Sequence, residues 1–170
     1  PLIYVNQIGA NDNLIFDGNS FILDKNGSKI KQLKSFSEDL SSWDIEQTKP
    51  QKNKFEKSEM SSIFDALVLG VRDYAQKCGF KTALIGLSGG IDSALVSAIA
   101  TAALGSNNIY CVSMPSKWSS SHSKSDAKDL ARRLNINFKS IPIEKLMASF
   151  EESFIKTIDF EMAEITNQNI

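Results

Sequence analysis

Two rhythms of apolar and polar positions divide the chain. Over residues 1–44 the apolar runs are short and separated by turn formers, so Leu2–Asn6, Leu14–Phe16, Ser20–Asp24 and Ser28–Leu33 read as strands. Asn26-Gly27 between the last two is a hairpin signal, because both residues tolerate positive φ. From residue 58 the period lengthens. Met60, Ile63, Phe64, Leu67, Val71, Tyr74 and Cys78 recur at helical spacing, and Gly79 is a stop. Thr82–Leu87 is a continuous apolar run, which reads as a strand buried on both faces and central in its sheet. An alanine-rich helix over Asp92–Leu104 follows, ended by Gly105, and then a second buried strand, Ile109–Met114. Asp126–Leu134 reads as a helix with Ala127, Leu130, Ala131 and Leu134 on one face and Ser123 and Ser125 as candidate caps. A third strand, Asn137–Ile141, and a helix over about residues 143–157 complete the pattern. Strands alternating with helices predict an α/β fold, a doubly wound parallel sheet with helices on both faces.

Between the rhythms lies IEQTKPQKNKFEK, residues 45–57, with Pro50, four lysines and few apolar positions, which reads as a linker. The expected organisation is a β-rich piece over 1–44, a linker over 45–57 and an α/β domain over 58–170. Forty-four residues of β structure cannot enclose a core. The chain opens at Pro1 on an apolar run and stops at Ile170 in what reads as the start of a helix. It is therefore expected to be a piece of a longer protein, truncated within its α/β domain and inactive by itself.

Composition narrows the function classes. Hydrophobic residues make up 42% and charged residues 23%, a globular balance, and the formal charge of -1 gives no sign of a general affinity for nucleic acid or membrane. No apolar run reaches membrane-spanning length, the first residues lack a secretory layout, and the two cysteines, Cys78 and Cys111, make no disulfide framework. A cytoplasmic setting is expected. Cys111 in a buried strand and Cys78 on a helix's apolar face read as small core residues.

The candidate chemistry lies where the first buried strand runs into the alanine-rich helix: Gly86-Leu87-Ser88-Gly89-Gly90-Ile91-Asp92-Ser93. Two glycines let a ligand approach the backbone closely, and successive amides can point into one concavity that suits an anion. The new helix adds unpaired amides and the positive end of its dipole. Ser88 and Ser93 offer hydroxyls. Asp92 is the anomaly, since a carboxylate repels phosphate, and a magnesium ion shared between them would resolve it. The bland alternative is an ordinary turn in which Asp92 and Ser93 only cap a helix. The pattern is neither a Walker A loop nor a dinucleotide Gly-x-Gly-x-x-Gly.

Ser88-Gly89-Gly90-Ile91-Asp92-Ser93 resembles the PP-loop of the adenine-nucleotide alpha-hydrolase-like ATP pyrophosphatases, a class that includes GMP synthetases, asparagine synthetases, NAD synthetases and tRNA-modifying enzymes. Two more segments resemble one family in it, the glutamine-dependent NAD synthetases. Met114-Pro115-Ser116-Lys117-Trp118-Ser119-Ser120 is similar to that family's Met-Pro-Ser-basic-aromatic-Ser-Ser segment. Ile165-Thr166-Asn167-Gln168-Asn169-Ile170 resembles the start of its Thr-Glu-Glu-Asn-Ile-Gln-Ala-Arg helix, with Asn167 and Gln168 in place of the glutamates. The opening Tyr4–Gly9 and Phe16–Phe21 look like the end of a nitrilase-like amidase domain, with alanine at position 10 where many relatives have glycine.

The resemblance implies an ATP- and Mg²⁺-dependent ligase. ATP adenylates deamido-NAD, pyrophosphate leaves, and ammonia from glutamine displaces AMP to give NAD. By the same resemblance Gly86 to Ser93, Met114 and Lys117 bind ATP, Asp92 binds the metal, and Asn169 meets the substrate. A homo-oligomer is expected, with no nucleic-acid or membrane partner. Residues 1–44 contain no cysteine, so none of the amidase's catalytic residues is expected in this chain. Lys117 reads either as a solvated lysine or as a phosphate partner, Trp118 as a stacking or a packing ring, and His122 as exposed. GMP synthetase-like and tRNA-modifying enzymes are the enzymatic alternatives, and a non-catalytic nucleotide-binding module is the other.

Overall fold

The computed structural model describes residues 1–44, 46 and 58–158. The expected linker, apart from residue 46, and the segment Ile165–Ile170 with Asn169 lie outside the described residues. The elements in order are β1 (Leu2–Tyr4), β2 (Ile8–Asn11), β3 (Leu14–Asp17), β4 (Phe21–Leu23), β5 (Lys29–Gln32), α1 (Glu59–Cys78), β6 (Ala83–Gly86), α2 (Ile91–Leu104), a 3₁₀ turn (Ser106–Asn108), β7 (Ile109–Ser113), α3 (Ser121–Leu134), β8 (Asn137–Ser140) and α4 (Glu144–Ile158). They fall into two compact units, divided between Lys81 and Thr82.

The second unit is a parallel α/β sheet in the order β6-β7-β8. Its core gathers Leu87, Ala100, Ile109, Cys111, Ala127, Ala131 and Ile136. The small side chains of Ala127 and Ala131, one turn apart and 0% and 2% exposed, let α3 lie close to the sheet beside α2. Two expectations need correction. Among the described residues β6 has one partner and lies at the sheet's edge, and β7 is central. Nor is β6 covered on both faces, since Leu84 is 74% exposed and its neighbour Tyr110 on β7 is 47% exposed. The physical reason is that an apolar run reports affinity for cover and not the number of neighbouring strands. Both α2 and α3 pack on the face that carries Ile109 and Cys111. The cap of α3 also differs. Ser120 precedes the helix and accepts from the Ser123 amide at 3.0 Å, so Ser123 is the capped residue and Ser125 lies within the helix.

The first unit holds an antiparallel sheet, β1-β4-β5, and a separate hairpin, β2-β3. The Asn26-Gly27 turn forms between β4 and β5 as its residues imply. Gly27 has φ 83°, and the Asp24 carboxylate accepts from the amides of Asn26 and Ser28 at 2.8 and 2.9 Å. Strand β2 carries Gly9 and has little apolar signature, so the apolar pattern passes over it. Helix α1 begins at a Ser58 cap and ends at Gly79 in the left-handed region, φ 73°. Its buried residues are Val68, Leu69 and Ala75, and it packs on β2 and β3. Cys78 is exposed, not a core residue, because α1 meets the hairpin through Gly70, Asp73 and Lys77, and Cys78 lies off that face.

Side chains of α1 also complete the backbone of β2. The Ala10 amide donates to Asp73 Oδ2 at 2.6 Å, the Lys77 ammonium donates to the Ala10 carbonyl, and Lys77 and Asp73 pair at 3.1 Å. An acid and a base one turn apart thus take the place of a neighbouring strand. The Ala10 amide, and secondarily Lys77, hold the Asp73 carboxyl below its ordinary value. A lowered folded value means that the clamp stabilises above the ordinary carboxylate range and is lost as pH falls through that lowered value. Asp73→Ala should cost about 1 kcal/mol at pH 7 in denaturant titrations. The gap from wild type should close at pH values below about 4; a gap that stays constant down to acid pH would show that the charge contributes nothing.

Candidate functional site

The strand-to-helix crossing is built by its own hydroxyls. Leu87 is 1% exposed and its amide donates to the Val112 carbonyl at 2.9 Å, so the loop leaves the sheet only at Ser88. Ser93 Oγ donates to the Gly90 carbonyl at 3.0 Å and accepts from the Ser88 amide at 3.3 Å. With that proton committed, the 3.1 Å contact between the two hydroxyls has Ser88 as donor. Ser88 Oγ in turn accepts from the Gly90 amide at 3.2 Å. The loop is closed on itself before any ligand arrives.

The capping alternative does not hold. Gly90 is the cap of α2 and no side chain bonds the first turn, while Asp92 is the second helical residue and Ser93 turns back to Gly90. The first-turn amides of Ile91, Asp92 and Ser93 therefore have no intrahelical acceptor and no side-chain substitute. Asp92 is exposed and has no side-chain hydrogen bond or ion pair among the described residues. Open amides, a helix dipole and a free carboxylate share one turn. One turn further in, Ser97 is 0% exposed, donates to the Ser93 carbonyl at 2.8 Å and lies 3.6 Å from Cys111 Sγ. It ties the first turn of α2 to β7. The sequence reading passed over Ser97; a serine at the core-facing position of an apolar helix was the available signal.

A model of the NAD synthase family matches residues 63–170. The chain belongs to the NAD synthase family. Among curated relatives, the glutamine-dependent NAD(+) synthetase of Synechocystis is 47% identical over 91% of this chain and 29% of its own length. That of Rhodobacter capsulatus is 39% identical over 100% of this chain and 32% of its own length. The solved glutamine-dependent NAD+ synthetase of Acinetobacter baumannii, in complex with ADP, superposes with a TM-score of 0.89 at 37% identity, over 98% of this chain and 32% of that one. The NH3-dependent enzyme of Campylobacter jejuni superposes over 66% of this chain and 46% of its own, with a TM-score of 0.55 at 28% identity. This chain spans about a third of the length of its glutamine-dependent relatives.

Within this chain, the segment after β7 bends around the loop. Met114 leaves the sheet beside Gly86, where an added Cβ would lie 3.7 Å from Met114 Cε. A turn at Ser116–Ser119 follows, with the Ser119 amide on the Ser116 carbonyl at 3.2 Å and the Ser116 amide on Ser119 Oγ at 3.0 Å. Lys117 lies over its neighbour, with Nζ 4.3 Å from the Trp118 ring centroid. His122 is exposed, as read from the sequence, but it lies in the first turn of α3 and not in a loop, because that helix starts at Ser121 rather than Asp126. Of the sequence-predicted residues, Gly86 to Ser93 form one strand-to-helix crossing and Met114 flanks it; Lys117 is engaged with Trp118, and Asn169 lies outside the described residues. A cavity of about 910 Å³ lies elsewhere, in the first unit beside Ala10 and Tyr74, and includes no loop residue.

The two loop glycines are under different constraints. Gly89 has φ 90°, and an added Cβ would lie 2.8 Å from both Cα and carbonyl carbon of Ser123. Gly90 has φ −84°, and its added Cβ would meet only the Ser88 hydroxyl, at 3.3 Å. Gly89→Ala combines backbone strain with a main-chain overlap and should cost about 2 kcal/mol or more of stability. Gly90→Ala should cost less than about 1 kcal/mol, the loss from a poorer cap residue. Denaturation midpoints of the two variants check this, and equal losses would show that the contact with α3 carries no weight.

Proposed function

We propose that the protein of which this chain forms part uses ATP to amidate deamido-NAD, releasing AMP and pyrophosphate, with ammonia drawn from glutamine. The observation that carries this is the Ser88–Ser93 loop, with its uncapped amides, at the carboxyl end of a parallel strand in a chain of the NAD synthase family. The names of the relatives support NAD formation over the GMP synthetase-like and tRNA-modifying alternatives, and those of the glutamine-dependent ones support glutamine as nitrogen source. The ADP held by the Acinetobacter baumannii protein supports an adenine nucleotide at the site. We read residues 1–44 as the end of a nitrilase-like amidase domain, 45–57 as a linker and 58–170 as part of the synthetase domain. The family match from residue 63 supports the last of these. A homo-oligomer in the cytoplasm completes the proposal.

In this reading the open amides of α2 and the Ser88 and Ser93 hydroxyls hold the phosphates, while Gly86 and Met114 border the nucleotide. Lys117 would exchange the Trp118 ring for a phosphate, and Asn169 would contact deamido-NAD. Asp92 fits a magnesium ion as a single carboxylate ligand. Among the described residues there is no group of three acidic, His or Cys side chains, so phosphate oxygens and water would supply the rest, as is usual for Mg²⁺ on nucleotides. When bound, Mg²⁺ neutralises charge on the departing pyrophosphate. The chain's own part is orientation. Fixed donors aimed at the leaving oxygens need no rearrangement as charge develops on them.

The test is Asp92→Asn in the full-length protein, which keeps side-chain size and removes charge. It should fold as wild type, because Asp92 is not the helix cap. Pyrophosphate release from ATP and deamido-NAD should fall by about a hundredfold or more, with the Mg²⁺ dependence displaced to higher concentration. Wild-type rates with an unchanged Mg²⁺ titration would remove Asp92 from the site. ATP binding without pyrophosphate release by the wild-type protein would favour a nucleotide-binding module.

A further inference from the structure

We infer that Ser120 is a positioning residue for the nucleotide loop, acting through the first turn of α3 on Gly89; the inference rests on the ATP reading above. Two independent features meet here. The first is the close approach of Gly89, whose missing side chain leaves room for the Ser123 backbone and for nothing larger. The second is the cap. Ser120 Oγ accepts from the Ser123 amide at 3.0 Å and meets the Ser123 hydroxyl at 2.9 Å. The residue held by the cap is the residue that touches the loop.

The rest of α3 cannot do this job. Ala127 and Ala131 are buried against the sheet and fix the helix axis, but they lie one and two turns beyond Ser123. First turns fray when uncapped, because their amides have no partner. Without Ser120 the Ser123 peptide is free to move while the helix axis stays in place, and Gly89 loses the surface that sets its φ of 90°. Ser120 also ends the arc that begins at Met114. That arc borders Gly86 at its start through the Met114 side chain, and at its end Ser120 holds the α3 turn whose Ser123 meets Gly89. Its middle is held by the Ser116–Ser119 turn. A loosened cap therefore lets the Gly89 end shift relative to the Gly86 end, which spreads the amides that face the phosphates.

The experiment uses the full-length protein and two readouts, ATP affinity by titration and steady-state pyrophosphate release. Ser120→Ala removes the cap. Ser120→Asn keeps an equally good cap without a hydroxyl. Ser58→Ala removes a cap of the same kind, which accepts from the Ser61 amide at 3.2 Å at the start of α1. Ser120→Ala should weaken ATP binding and raise the KM for ATP about five-fold, the factor such a cap contributes to a local equilibrium. Ser120→Asn and Ser58→Ala should stay within about two-fold of wild type.

Three results would overturn the inference. Ser120→Ala could match wild type. Ser120→Asn could be as impaired as Ser120→Ala, which would make the hydroxyl itself a ligand. Ser58→Ala could raise the KM equally, which would make the effect general destabilisation. Failure of the function reading is seen separately: wild-type protein that releases no pyrophosphate sinks the ligase assignment, and ATP affinity then decides the role of Ser120.

Discussion

The backbone of Gly89 occupies a place where a side chain would collide with the first turn of α3. The geometry of the candidate site depends on that contact. It requires glycine on steric grounds at a position that also needs positive φ, so one residue satisfies two demands. It brings the beginnings of α2 and α3 together at the carboxyl ends of β6 and β7, where open parallel sheets bind their ligands. It also places the arc from Met114 to Ser120 beside the loop. A residue with a side chain at position 89 would need the first turn of α3 to draw back from the loop.

Much of this was legible in the sequence because it is local. The loop residues, the hairpin at Asn26-Gly27, the stop at Gly79 and the alternation of strand and helix from residue 82 are set by neighbours a few positions apart. What the pattern missed is non-local. Thr82–Leu87 reads as a central strand because apolar residues run through it. Centrality is a count of partners, and β7 has two where β6 has one among the described residues. Strand β2 exists because β3 and the Asp73–Lys77 pair complete its backbone, and residues 8–11 alone do not specify either partner. Cys78 ends an apolar stripe, yet α1 turns Gly70, Asp73 and Lys77 toward the hairpin.

The site shows the same division. The six loop residues could be read as a candidate directly, because they are contiguous and lie where a strand runs into a helix. Ser123 and Ser125 read as candidate caps for α3, and the cap is Ser120, three residues before the first of them. A Ser-rich stretch offers several hydroxyls of equal local merit. The choice among them is made by where the helix must begin in order to meet Gly89, a distance that no local pattern encodes.

Asp92 deserves to be weighed against the gain it gives the fold alone. A carboxylate in the first turn of a helix is stabilised by the dipole, by about 0.3–1 kcal/mol at an exposed position. Its presence could therefore be explained without any ligand. The rest of the turn is not arranged as a side-chain cap. Gly90 supplies no side-chain cap, the first-turn amides stay open, and the Ser93 hydroxyl that could have served them is bonded to the Gly90 carbonyl. A turn shaped for stability would have spent one of its hydroxyls on those donors. On the proposed reading Ser88 and Ser93 brace the loop and leave the amides for an anion, and a cation between that anion and Asp92 would let the two negative groups share one turn.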